Sequence, residues 1–167
     1  SLACYEGQEE ACTQLAYEGE APDEAQTAID DNAKELAQQI LDNSKIDLND
    51  SNFCRYCKQD IKNTAEGKSA YDSVTLDVKL LQFLADLGLN TNVDVNSISG
   101  EGCGHSSNTC KSAGGSSMHY EGKAVDFGCS MTDGALIDKI AKKYGMKSNF
   151  ERCDAGVNHW HYSIGGN

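Results

Sequence analysis

No run of eighteen or more apolar residues occurs in this chain, so no segment reads as a membrane-spanning helix. Basic side chains are scarce as well. Fourteen Lys and Arg stand against 26 Asp and Glu, a formal charge of −12. A field of that sign opposes contact with phosphate backbones and anionic headgroups, which excludes nucleic acid as the expected partner. The acidic excess lies mostly before residue 60, in stretches such as Glu18, Glu20, Asp23, Glu24 and Asp30, Asp31, and reads as the solvated face of a surface helix. No export signal opens the chain, as expected of a mature protein from which a leader or anchor has been removed. Ser116 and Ser117 lack the Gly-x-Ser-x-Gly elbow, so a serine nucleophile is rejected.

Large aromatic side chains are few, with one tryptophan and four phenylalanines among 167 residues. At this length a chain buries roughly 70% of its unfolded surface, enough for one domain or one domain with an N-terminal extension. Eight cysteines spread along the whole chain then read as disulfides supplementing a modest core. That implies an oxidising compartment, and hence a secreted or cell-surface protein. Cys4 with Cys12 and Cys103 with Cys110 could close short loops, while Cys129 and Cys153 pair with each other or join other loops. A Cys4 zinc site from Cys54, Cys57, Cys103 and Cys110 has its halves too far apart for the usual spacing. A redox role for Cys54 and Cys57 lacks the surrounding βαβ pattern.

The expected organisation is α+β: N-terminal helices followed by a small antiparallel sheet. Residues 1–22 hold the single proline and two cysteines without periodicity. From Asp23, Ala25, Ile29, Ala33, Leu36, Ala37, Ile40 and Leu41 repeat at helical spacing, predicting an amphipathic helix of about five turns. Short turns and one small helix fill residues 43–67. A second helix is predicted from near Ser69 to Gly88, with Gly88 in the left-handed C-terminal position. Residues 1–67 therefore read as a helical, cysteine-containing extension and 68–167 as the domain proper. Alternation at Val93, Val95 and Ser97 gives way to a long Gly/Ser/Cys-rich loop through Ser117. A strand over Lys123–Phe127, a helix over Asp133–Tyr144 and strands near Lys147–Arg152 and His159–Ile164 complete the reading.

Three of the four histidines fall in two clusters, one around His119 and the other at His159-Trp160-His161. Side chains two apart on a strand share a face, so His159 and His161 can look into one cleft while Trp160 points away into the core. Asp126 sits between Val125 and Phe127, where an unpaired carboxylate is costly to bury. It bonds neighbouring amides there or binds a metal. His119, Asp126 and His161 would offer two neutral nitrogens and one anionic oxygen, a set suited to zinc with one position left for water. Tyr120 and Tyr162 line a substrate groove or are ordinary half-buried tyrosines.

The combined pattern goes further. Ser117-x-His119, four residues, Ala124-Val125-Asp126-Phe127 and, about 35 residues later, His159-x-His161 resembles the zinc D,D-carboxypeptidase and L,D-/D,D-endopeptidase family of bacterial cell walls, whose fold is shared with the signalling domain of Hedgehog. The similarity covers roughly Val93 to Ile164. It implies a Zn²⁺-dependent peptidase acting on peptidoglycan peptide, with His119, Asp126 and His161 as metal ligands and His159 assisting the tetrahedral intermediate or the proton traffic. The alternative it implies is a non-catalytic, zinc-containing cell-wall-binding or signalling module.

Two departures from the family stand out. An arginine that precedes the ligand histidine in many members is missing from Ser97-Ile98-Ser99-Gly100-Glu101-Gly102, where His105 is the substitute donor or the substrate differs. Where subfamilies place a carboxylate base, three residues before the last ligand, this chain has Asn158, and an amide cannot accept a proton at neutral pH. Asp154 or His159 then serves as base, or the site is a metal-binding relic.

Overall fold

The computed structural model describes residues 21–48, 56–71, 74–99 and 117–165, with side chains from Asp31 onward. The chain divides into two compact units, 1–32 and 33–167. Only the opening of the first helix, from Ala21, is described in the first unit; everything below concerns the second.

Among the described residues there are four α-helices, α1 (Ala21–Asp42), α2 (Cys57–Ala65), α3 (Val78–Asn90) and α4 (Gly134–Lys143). Five strands, β1 (Ile46–Asp47), β2 (Val93–Ser97), β3 (Ala124–Gly128), β4 (Met146–Lys147) and β5 (His159–Ile164), form one sheet in the order β1-β2-β3-β5-β4. The α+β expectation therefore holds, but the sheet is mixed rather than antiparallel: β1 runs parallel to β2, pairing Ile46 with Val93. The strand expected over Lys147–Arg152 is only Met146–Lys147. Beyond it the chain touches β5 again through a single backbone bond, from the His161 N–H to the Glu151 carbonyl at 2.8 Å.

Helix α3 starts later than its apolar pattern suggests. Asp77 caps it by accepting from the Lys79 N–H at 2.8 Å, and before it the Ala70 N–H donates to the Val74 carbonyl at 2.8 Å. Its end differs too, because Gly88 lies inside the helix and not at a left-handed terminus. Glycine suits this position for another reason: a Cβ here would stand 2.5 Å from Ile46 Cδ1.

The core lies between the helices and one face of the sheet. Leu80, Leu81, Phe83, Leu84 and Leu87 of α3 are all buried. Phe83 packs edge-on to Phe127 at 5.8 Å between ring centroids and against Tyr162 at 5.6 Å. Ala37 and Ile40 of α1 and Ile61 of α2 belong to the same buried cluster. Described residues on both sides of position 67 thus contribute to one buried cluster. Helices α3 and α4 are tied by Asp86, which accepts from the Tyr144 hydroxyl at 2.7 Å and from Lys143 at 3.2 Å.

Two disulfide facts bear on the sulfur framework. Cys129 and Cys153 are bonded, with Cα atoms 5.6 Å apart, and no described cysteine is free. Cys57 is also disulfide-bonded, which removes a thiolate from the Cys4 zinc alternative. The other pairings considered from the sequence lie outside the described residues.

Gly122 ends a short 3₁₀ helix (Met118–Glu121) at φ +69°, and a Cβ there would meet the Thr75 carbonyl oxygen. Gly122→Ala is expected to lower the unfolding free energy by about 1–3 kcal/mol in urea titrations, as left-handed non-glycine residues typically cost. Asp86 gives a pH-dependent test. The Tyr144 hydroxyl, aided by Lys143 and Asn90 against the opposing effect of burial, holds its carboxyl below the usual range. Its contribution is therefore present above the unfolded value of about 3.9 and lost as pH falls through the lower folded value. Asp86→Asn should cost about 1 kcal/mol near neutral pH. The deficit should shrink towards zero in acid melts.

Candidate metal centre

The site is built on the face of the sheet opposite the aromatic core. In the β3–β5 ladder Asp126 stands directly across from His161, flanked by Val125 opposite Tyr162 and Phe127 opposite Trp160. Alternation sends the two flanking pairs into the core and leaves Asp126 and His161 together on the other side. Register alone makes this pair, which is why it was legible as a spacing. Asp126 Oδ1 lies 2.8 Å from His161 Nδ1.

His119 comes from the 3₁₀ helix, which Ser117 caps by accepting from the His119 N–H at 3.3 Å and Gly122 ends. The His119 Nδ1–H donates to the Ile98 carbonyl at 2.6 Å. This fixes the ring and turns Nε2 towards Asp126 Oδ1, 3.2 Å away. All three side chains are buried, with relative exposures of 1% for His119, 2% for Asp126 and 7% for His161.

This donor set fits a metal ion. With Nδ1 carrying the ring proton, neutral His119 presents a lone pair to a carboxylate oxygen, and two such acceptors stay in contact only with a cation between or beside them. A proton on the ring would supply that charge, and the contacts of His119 and His161 with Asp126, at 3.2 and 2.8 Å, would then be salt bridges. A metal supplies it equally well. The three ligand atoms lie within 4.8 Å of one another. Ligand atoms about 2.0–2.2 Å from a tetrahedral ion stand about 3.3–3.6 Å apart, so only small adjustments separate this arrangement from coordination.

The other candidate residues are divided by the structure. His159 joins the triad's face, as its two-residue spacing from His161 requires, with Nε2 4.0 Å from Asp126 Oδ2. Its Nδ1–H donates to Asn158 Oδ1 at 2.8 Å, so Asn158 orients a histidine where a carboxylate base was sought. Asp154 is not brought to the triad. Both its oxygens accept from Arg152 at 2.9 Å, Arg152 also forks onto Asp138 at 2.9 and 3.0 Å, and Asp138 accepts from the Tyr162 hydroxyl on the core side of β5. The Arg152 guanidinium accordingly holds the Asp154 carboxyl below its ordinary value. Trp160 is core, donating to the Met131 carbonyl at 2.9 Å and carrying Arg152 over its ring. Tyr120 and Tyr162 are buried. His105 lies outside the described residues.

One residue escaped the sequence reading. Glu151 places its carboxylate 3.5 Å from His159 Nε2 and 3.8 Å from His161 Nδ1, with its side chain 52% exposed. Nothing in its local pattern marks it. The backbone bond between Glu151 and His161 holds it there, and that bond joins residues ten apart.

Elemental analysis after dialysis against a divalent metal should find one ion per chain, and His119→Ala, Asp126→Asn or His161→Ala should each abolish it. His159→Ala should leave the stoichiometry at one, since His159 stands beside the ligand set. At a free metal concentration 100 times Kd the ion should stabilise the fold by about 2.7 kcal/mol, read as a rise in Tm.

No family model matches the chain, and no curated protein or solved structure matches it either, so the chemistry of the centre rests on its own residues.

Proposed function

We propose that this chain is a secreted or cell-surface zinc peptidase of the Hedgehog/D,D-peptidase fold, hydrolysing a peptide bond of peptidoglycan as a carboxypeptidase or endopeptidase. The observation that carries the reading is the convergence of buried His119, Asp126 and His161, in the order and spacing of that family's ligands, beside an exposed carboxylate. Two imidazole nitrogens and one carboxylate oxygen suit zinc better than the harder, oxygen-preferring Mg²⁺ or Ca²⁺. Disulfide-bonded Cys57, Cys129 and Cys153 support an oxidising compartment. The peptidoglycan substrate rests on the resemblance of the motif.

When bound, zinc supplies Lewis acidity towards a carbonyl oxygen and makes a water acidic enough to react near neutral pH. The side chains divide the remaining work. Glu151 is the base: it is exposed enough to meet solvent and close enough to the ligands to take a proton from the attacking water and return it to the leaving amine. His159 faces the same opening, held in orientation by Asn158, and donates to the developing oxyanion when protonated. Asp154 has no part, being committed to Arg152. The non-catalytic alternative draws on Asn158 and on the missing arginine, and Glu151 answers the first of these by supplying a carboxylate from another segment.

Purified zinc-loaded protein incubated with muropeptides should release a product of defined mass. Glu151→Gln should lower kcat about 10²–10⁴-fold, the usual worth of a general base, while its zinc content stays at one per chain. His161→Ala should lose both metal and turnover. Zinc uptake without any product peak would establish the binding module, and cleavage undiminished by His161→Ala would sink the reading altogether.

A further inference from the structure

Helix α2 belongs to the half of the chain that the motif does not cover, and its inner face carries Cys57, Asp60, Ile61 and Thr64. Three of these are what a helix at a core is expected to bury. Asp60 is not: a carboxylate only 2% exposed gains no stability over a packed apolar side chain of similar size, so its hydrogen bonds are where its use is to be sought. Asp60 Oδ2 accepts from the hydroxyl of Ser99 at 2.6 Å, and Ser99 is completely buried. The two are 39 positions apart in sequence.

Ser99 is the residue after Ile98, whose carbonyl receives the His119 Nδ1–H at 2.6 Å. This carbonyl is not held by regular pairing. The β2–β3 register shifts between Val95 and Ser97, Ser97 is the last residue of β2, and it stands opposite Asp126. A bulge of this kind re-aims the chain beside a site but leaves the following peptide to be fixed by something else. Asp60 fixes it from behind through Ser99. The geometry points to a positioning chain: Asp60 and Ser99 hold the Ile98 carbonyl so that His119 keeps its proton on Nδ1 and its Nε2 lone pair aimed at Asp126. The inference rests on the metal-centre reading and extends it to Asp60 on α2 and Ser99 after β2, neither of which is among the proposed ligands.

The test uses the full chain with two readouts, exchange of the His119 ring N–H in ¹⁵N-histidine-labelled, metal-free protein, and zinc Kd by competition with a chromophoric chelator. Ser99→Ala and Asp60→Ala should each speed the ring proton's exchange about tenfold or more and raise Kd about 10–100-fold, the range for groups that orient a ligand. The double variant should be no worse than either single one, because both break one chain. Asp60→Asn, whose amide oxygen still accepts from Ser99, should return most of both losses. Far-UV circular dichroism confirms that the variants are folded; should Asp60→Ala not fold, Ser99→Ala and Asp60→Asn carry the comparison. Exchange and Kd both unchanged in folded Ser99→Ala would overturn the inference, as would losses that simply add. If the wild type takes up no zinc, the metal reading falls by itself, and the exchange rates still decide whether Asp60 and Ser99 hold the ring.

Discussion

The buried carboxylate of Asp126 is the constraint around which the second half of this chain is arranged. Left unpaired in that environment, such a group would cost several kcal/mol, so the fold must bring positive or protic partners to it. It brings two from different directions, His161 across the ladder and His119 from the 3₁₀ helix. The constraint also fixes register. Slipping β3 by one residue against its neighbours would turn Asp126 towards Phe83 and expose Phe127, so polar site and aromatic core specify the same alignment from opposite faces.

The core side of β5 has its own polar group to satisfy, and the solution explains why Asp154 is unavailable. Tyr162 is fully buried and needs an acceptor for its hydroxyl, which Asp138 of α4 supplies. Burial and that bond together push the Tyr162 phenol well above its ordinary range. Arg152 then bridges Asp138 to Asp154 and covers Trp160, and the Cys129–Cys153 disulfide ties the adjacent turn. Bidentate pairs of this kind are geometrically specific, and an aspartate held by one is a poor proton acceptor. Its place seven residues before His161 gave Asp154 its candidacy, and the network removed it.

Much of this was legible because it follows from short-range periodicity. Alternation on β5 put His159 and His161 on one face and Trp160 on the other, and the helical pattern of α3 and α4 located the core. What was not legible depends on contacts between distant segments. Gly88 carries the signature of a helix end and instead makes room for Ile46. The parallel pairing of β1 follows from a two-residue strand that no pattern announces. Asp60 and Ser99 are each unremarkable locally, and only their meeting gives either a meaning. The segment around Gly102, where the family's arginine is missing, and His105, considered as its substitute, lie outside the described residues.

Asn158 marks the point at which the site departs furthest from the pattern it resembles, and the geometry gives that departure a physical sense. Asn158 meets His159 at Nδ1 while Asp126 faces the same ring at Nε2, so the imidazole stands between the two side chains. An amide there adds no charge and accepts the Nδ1–H, which leaves Nε2 facing Asp126 and Glu151. The negative charge appears instead on Glu151, where solvent screens it and the backbone bond to His161 keeps it within 4 Å of both histidines. The two carboxylates that share these histidines thus differ in exposure, Asp126 being buried and Glu151 half-exposed, and in the proposed reading the first is the ligand and the second the proton acceptor. Two acidic groups in one small cleft can hold different roles only if their environments differ to that degree.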